Sequence, residues 1–169
     1  KKKFHAAEKF YKEILKTHPN HAGTYVNLGM TLKKLAKYKE AMDCYENAIK
    51  INPNDSNPHY NLGNLYKNFN KYEEAINFYN KAIKINPNHL GAYNNLGNVF
   101  KDLGEYKKAI NCYIKAIQIN PNNAVIYNNL GLSYRKIGKS KLAVDSYQKA
   151  LAKRTNIRLE VDNKLLPAT

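Results

Sequence analysis

Asn27-Leu28-Gly29 is repeated as Asn61-Leu62-Gly63, Asn95-Leu96-Gly97 and Asn129-Leu130-Gly131, and each copy lies 34 residues after the previous one. Other landmarks keep the same spacing: Ala41, Ala75, Ala109 and Ala143; Tyr45, Tyr79, Tyr113 and Tyr147; Ala48, Ala82, Ala116 and Ala150; and the prolines Pro19, Pro53, Pro87 and Pro121. A fixed period of this length is the signature of a repeat protein. Pro19 indicates that the first residues form the second half of an earlier unit.

Within one unit, the apolar residues recur at helical spacing. Tyr25, Leu28 and Leu32 are three and four residues apart, which places them on one stripe of a helix. The residues from 38 to 49 show the same spacing and predict a second helix. Only Ala36-Lys37 lies between the two stripes, so we expect a tight turn and an antiparallel helix pair.

Glycine and proline mark the ends of these helices. Gly104 and Gly138 stand at the turn in later units, where a helix typically ends in a left-handed residue. Pro53 is predicted to stop the second helix of its unit, since proline cannot continue the hydrogen-bond ladder. Gly29 is predicted to face Ala41, so that two small residues let the helix backbones approach closely.

A single helix pair cannot bury its apolar stripe alone, and stacking on the next pair is the solution that repeat proteins use. We therefore expect an all-α, right-handed superhelical solenoid of antiparallel helix pairs. The predicted array spans residues 4–152, as a half repeat (4–21) and four full repeats (22–55, 56–89, 90–123 and 124–152), followed by a C-terminal tail (153–169).

The tail differs from the repeats in its pattern. Ile157, Leu159 and Val161 alternate with charged residues at period two instead of at helical spacing. We expect the chain to leave the array from about residue 156, either folding back on it or lying extended in the groove of a neighbouring molecule.

The unit resembles the tetratricopeptide repeat, a pair of antiparallel helices, and the resemblance covers residues 4 to about 152. It rests on the Leu-Gly, Ala, aromatic, Ala and Pro landmarks, which recur in register. The chain departs from the family pattern at a few places: Tyr25, Tyr93, Tyr127 and His59 stand where tryptophan is common, and Thr155 replaces the last proline.

Composition limits the possible classes of protein. The chain has 169 residues, of which 43% are apolar, and a formal net charge of +15, but it has no long apolar stretch. We expect a cytoplasmic or nuclear protein without a membrane span, and a fragment of a longer one because it begins midway through a unit. Cys44 and Cys112 occupy equivalent places two units apart and are predicted to be buried thiols.

No catalytic constellation is visible in the sequence. The glycines all fall at packing or turn positions of the repeat, which excludes a nucleotide-binding loop, and the five histidines have no partners at ligand spacing. We predict that this chain is not an enzyme and requires neither a cofactor nor a metal.

The candidate binding residues are those that packing leaves over on the first helix of each unit. Asn27 lies about 100° from Leu28 around the helix, and Met30 and Lys33 lie further round. The resemblance implies that this side lines the concave groove of the array. The equivalent positions form an Asn column (Asn27, Asn61, Asn95 and Asn129), a second column (Met30, Asn64, Asn98 and Leu132), a basic column (Lys33, Lys67, Lys101 and Arg135) and the interleaved residues Tyr60, Asn94 and Asn128.

A carboxamide offers one acceptor and two donor hydrogens, which match the C=O and N–H groups of an extended peptide backbone. The Asn column is therefore a candidate peptide-binding site, and the basic column would favour acidic ligands. Each has a structural alternative: the asparagines link neighbouring repeats, and the basic residues only promote solubility.

The resulting prediction is a protein-interaction scaffold that binds an extended, acidic peptide. A clamp for a chaperone's acidic carboxyl terminus is disfavoured, because Tyr60, Asn94 and Asn128 stand where that clamp needs basic residues. The Asn column is more similar to the repeat arm of O-linked N-acetylglucosamine transferases, which makes a substrate-presenting arm of a larger enzyme the main alternative. RNA binding is a weaker one, since the lysines are spread over both helices and the groove offers few aromatic side chains.

Overall fold

The computed structural model describes the backbone of residues 2–165 and the side chains of residues 2–154. This part of the chain is all-α, as predicted. Its helices are α1 (Lys2–Thr17), α2 (Ala22–Lys34), α3 (Tyr38–Ile51), α4 (Ser56–Asn68), α5 (Tyr72–Ile85), α6 (Leu90–Asp102), α7 (Tyr106–Ile119), α8 (Ala124–Lys136) and α9 (Ser140–Leu165). The chain divides into two compact units, Lys1–Ala92 and Tyr93–Thr169.

The helices follow the sequence period. The first helix of each full repeat begins 34 residues after the one before it, and the second helices keep the same interval. Each pair is joined by three residues, so its helices are antiparallel. In the first compact unit (Lys1–Ala92), a continuous buried core extends across α2, α3 and α4 and contains Leu28, Leu32, Tyr45, Leu62 and Leu65.

The turn inside each helix pair ends in a left-handed residue, as predicted. Gly104 and Gly138 have φ values of 77° and 75°, and Ala36 and Asn70 adopt the same conformation at 61° and 57°. A backbone hydrogen bond of 2.9 Å from the N–H of Lys37 to the carbonyl of Leu32 closes the first of these turns. Equivalent bonds close the others, which is the Schellman pattern of helix termination.

Gly29 faces α3, the helix that carries Ala41, and its closest contacts there come from a tyrosine ring. A Cβ atom built on Gly29 would lie 2.6 Å from Cε1 of Tyr45, and the motif glycines of the later repeats stand in the same relation to Tyr79, Tyr113 and Tyr147. The glycine therefore makes room for an aromatic ring from the second helix. Tyr45, Tyr79 and Tyr113 are fully buried.

The predicted conformation of the C-terminal tail is wrong for residues 156–165. Helix α9 continues without a break to Leu165. The alternation of Ile157, Leu159 and Val161 predicts an extended segment, but three alternating residues are too short a pattern to outweigh helix propagation from the preceding turns. Residues 166–169 lie outside the described part of the chain.

Cys44 and Cys112 are buried and unbridged, as predicted. Burial raises the pKa of each thiol to about 11, and for Cys44 the neighbouring Asp43 and Glu40 charges add to the effect. Both cysteines are therefore protonated core residues near neutral pH.

Among the described residues, no helix is both long enough and apolar enough to cross a membrane.

Candidate functional site

The Asn column is carried by α2 and α4 in the first unit and by α6 and α8 in the second. Asn27 is exposed, whereas Asn61, Asn95 and Asn129 are half-buried. Asn27 and Met30 line a cavity of about 210 Å³, together with Phe4 and Tyr11 of α1. The column residues are therefore accessible to different degrees in different repeats.

The second column contacts the buried tyrosines. Tyr79 Oη donates a hydrogen bond to Asn64 Oδ1 at 2.8 Å, and Tyr113 Oη donates to Asn98 Oδ1 at the same distance. Each bond joins the two helices of one repeat. Asn64 and Asn98 are predicted to bind peptide, and their carbonyl oxygens also accept hydrogen bonds from these internal tyrosines.

In the second unit, the two columns are connected. Asn98 Oδ1 also accepts a hydrogen bond from Asn129 Nδ2, at 3.2 Å between α6 and α8. The oxygen of Asn98 thus receives two donors, from Tyr113 and from Asn129. These two bonds hold both carboxamides in place, with the Asn98 oxygen directed at the Tyr113 hydroxyl and at the Asn129 amide group. The predicted alternative, that column asparagines link repeats, holds for Asn129.

The interleaved residues pack against their own units. The Tyr60 ring lies 4.7 Å from the His89 ring and 6.1 Å from the Tyr79 ring, between centroids, and it is half-buried. Asn94 Nδ2 donates to Asn95 Oδ1 at 3.2 Å. Asn128 is half-buried on α8. Part of each side chain therefore contributes to packing.

The residues of the basic column are less exposed to solvent than the sequence predicts. Lys33, Lys67 and Lys101 are half-buried, and only Arg135 is exposed. Burial lowers the pKa of Lys33, and the neighbouring Lys34 charge lowers it further. Lys101 Nζ lies 3.9 Å from a carboxylate oxygen of Asp102, which partly compensates its charge.

Within the part of the chain that the structure describes, no three His, Cys, Asp or Glu side chains lie close enough to hold a metal ion.

The residues that sequence reasoning missed are the tyrosines beneath the columns. Tyr79 and Tyr113 follow Asn64 and Asn98 by 15 residues. That constant offset, joining a polar residue on one helix to a tyrosine on the next, was the available signal. Tyrosines at helical spacing are typical of a core, and that pattern alone does not indicate the partners of their hydroxyl groups.

Comparisons with known proteins agree with this architecture. Models of the tetratricopeptide repeat match residues 56–89, 10–43, 78–111 and 126–159, and a TPR repeat model matches residues 29–68 and 97–138. No curated protein matches the chain.

Several solved structures are similar to this chain. A crystal structure of MamA is 30% identical, with 92% of this chain and 91% of that chain covered and a TM-score of 0.83. MamA 41-end from Desulfovibrio magneticus RS-1 is 20% identical, with 90% and 86% covered and a TM-score of 0.79. YrrB, described as a TPR protein with an unusual peptide-binding site, is 22% identical, with 98% and 85% covered and a TM-score of 0.73. This chain belongs to the tetratricopeptide repeat family.

Proposed function

We propose that this protein is an interaction scaffold whose Asn and basic columns hold an extended, acidic peptide. The observation that carries the proposal is the fixed carboxamide pair of the second unit. Asn98 uses its oxygen for Tyr113 and Asn129, so its amide hydrogens remain for a ligand. Asn129 donates one amide hydrogen to Asn98 and keeps its own oxygen as an acceptor.

A donor and an acceptor held side by side match the N–H and C=O groups of an extended peptide. Because internal hydrogen bonds set the orientation of Asn98 and Asn129, a ligand need not immobilise two free rotors. Preorganisation of this kind increases affinity by lowering the entropic cost of binding. The peptide-binding site named for YrrB, which shares the fold, is consistent with this use.

The preference for acidic ligands is expected to be modest. The chain has a net charge of +15, which attracts anionic partners at long range. Within the basic column, however, Lys101 is partly compensated by Asp102. Exposed charges are screened over about 8 to 10 Å at physiological salt, so the preference should weaken as salt is added.

The test uses a fluorescein-labelled dodecapeptide, three repeats of Gly-Ser-Glu-Ser, and its Gln-for-Glu counterpart. We expect the intact chain to bind the acidic peptide more tightly, and Asn129→Ala to weaken binding at least tenfold, equivalent to about 1.4 kcal/mol. Asn122→Ala, at an exposed inter-repeat turn, is the matched control. Fluorescence anisotropy gives Kd, and thermal unfolding gives Tm for each variant.

The outcomes separate binding from architecture. A Tm that changes little in Asn129→Ala, together with the loss of affinity, supports the proposal, since Asn98 keeps its bond from Tyr113. A large fall in Tm with peptide affinity retained would assign the Asn column to repeat packing alone. Equal affinity for both peptides would remove the acidic preference.

A further inference from the structure

The second repeat contains a basic cleft that shares no residue with the Asn and basic columns. It has a volume of about 530 Å³ and lies between the start of α4 and the end of α5. Its lining consists of Asn54, His59, Lys81, Lys84 and Ile85. Among the described residues no carboxylate lines it, so its charge comes from the two lysine ammonium groups.

His59 is the unusual member of this lining. Its side chain belongs to a residue only 8% exposed, and its Nδ1 atom is buried without a hydrogen-bond partner among the described residues. The ring packs on Phe78, with 6.2 Å between centroids, and Lys81 Nζ lies 5.0 Å from the centre of the same Phe78 ring. A buried imidazole and an ammonium group therefore flank one aromatic ring.

The other repeats do not reproduce this combination. Tyr25, Tyr93 and Tyr127 stand at the position of His59. In the first repeat, Asn47 and Lys50 replace Lys81 and Lys84, so that its equivalent surface has one lysine and no histidine. Repeat packing accepts tyrosine at this position and does not explain the histidine.

We propose that this cleft is an anion site that binds a phosphate group. The two ammonium groups supply charge-assisted hydrogen bonds, which are the strong contacts of phosphate sites. A neutral imidazole carries one N–H, and with Nδ1 sealed in the core, Nε2–H is the donor that meets the anion. Asp55, whose charge acts on His59, is the N-cap of α4, where it accepts a hydrogen bond from the N–H of Asn57 at 2.9 Å.

Protonation of His59 is coupled to this binding. Burial is the main cause that lowers the pKa of His59, and the Lys81 charge lowers it further, whereas the Asp55 charge raises it. Lys84 also lines the cleft. A bound dianion would offset the lysine charges and raise the pKa of His59. Phosphate binding therefore takes up protons, and the affinity of a given dianion should increase as the pH falls toward the unperturbed His range.

The experiment follows the Cε1–H resonances of the histidines of the intact chain by NMR, as inorganic phosphate replaces chloride at constant ionic strength. We expect a saturable shift of His59 that His18 and His21 do not share. Lys84→Gln should weaken the Kd for phosphate at least about fivefold, since it removes one charge-assisted contact. Lys50→Gln removes the same charge at the equivalent position of the first repeat and should change Kd less than twofold.

His59→Tyr introduces the residue found in the other repeats, so we expect this variant to keep the fold. The broadening of the phosphate resonance in ³¹P spectra that binding causes should disappear in it. A linear shift that never saturates, or equal effects of Lys84→Gln and Lys50→Gln, would show diffuse attraction by net charge and overturn the proposal. Phosphoserine in place of inorganic phosphate distinguishes a free ion from a phosphorylated side chain. Neither result depends on peptide binding at the columns.

Discussion

The first and third repeats bury the same tyrosine in different polar surroundings. Tyr45 and Tyr113 are both fully buried, and each covers the motif glycine of its own repeat. Tyr113 Oη donates to Asn98, whereas Tyr45 Oη is buried and has no hydrogen-bond partner among the described residues. The difference lies at the second column, where the first repeat has Met30. Repeat packing thus requires the ring, and the hydroxyl bond is an addition that only some repeats have.

The second column also has a role in the stability of the repeats. Burial raises the pKa of Tyr45 and of Tyr113, so both hydroxyls stay protonated and need an acceptor. A buried donor without an acceptor costs about 1 to 3 kcal/mol. Asparagine at this column therefore stabilises its own repeat, in addition to any contact that it makes with a ligand.

The largest expected effect comes from filling the space above the tyrosine. Gly97→Ala would place a Cβ atom 2.7 Å from Cε1 of Tyr113, and overpacking of this kind costs about 1 to 3 kcal/mol. Displacing the ring also strains its bond to Asn98. The higher helix propensity of alanine offsets about 1 kcal/mol of this loss. We expect a net loss of up to about 3 kcal/mol in the free energy of unfolding, measured with urea.

Gly29→Ala is the matched change in the first repeat, where the equivalent distance is 2.6 Å but no hydroxyl bond can be lost. It should be about 1 kcal/mol less destabilising than Gly97→Ala. Equal losses in the two variants would mean that the bond to Asn98 contributes nothing.

Removing the acceptor should have the next largest effect. Asn98→Ala leaves the Tyr113 hydroxyl and the Asn129 amide without their shared oxygen, which we expect to cost about 2 kcal/mol. Tyr113→Phe in the same background tests the cause, because the double variant has no buried hydroxyl to satisfy. If urea unfolding shows the two losses to be simply additive, the bond does not couple the residues.

The fold and the site differ in how far the sequence predicts them. The period alone places the helices that begin at Ala22 and Ser56, because each apolar stripe demands a partner one unit away. The hydrogen bond from Tyr113 to Asn98 is harder to predict from the sequence, since it depends on the direction of two side chains that face each other across helices. A pattern of apolar residues carries no information about such polar contacts.

At the C-terminal end, the helix continues further than the sequence pattern predicts. Helix α9 extends 13 residues past the predicted array boundary at 152, although the repeat landmarks stop at Ala150. Landmarks report packing against neighbouring helices. They do not report how far a helix continues beyond its last packed turn.

The smallest expected effect is a gain. Met30→Asn introduces into the first repeat the carboxamide that the third repeat already has, at the position from which Asn64 and Asn98 accept a hydrogen bond from their tyrosines. We expect stabilisation by about 1 kcal/mol, measured as a higher Tm, because a hydrogen bond is formed at a site where the donor is already desolvated. Met30 is 51% exposed, so little apolar burial is lost.

Met30→Leu, which copies Leu132 of the fourth repeat, is the control and should leave Tm nearly unchanged. A Tm for Met30→Asn at or below that of Met30→Leu would show that position 30 cannot supply the acceptor.

The bond between Tyr113 and Asn98 also has a consequence for how such chains are recombined. Its two residues are 15 apart and belong to the two helices of one repeat. A gene duplication or an engineered crossover that cuts between repeats transfers the donor and the acceptor together. A crossover inside the three-residue turn can join a tyrosine-bearing helix to one with methionine, as in the first repeat. Libraries built by exchanging whole 34-residue cassettes should therefore yield more stable chimeras than those built by exchanging single helices.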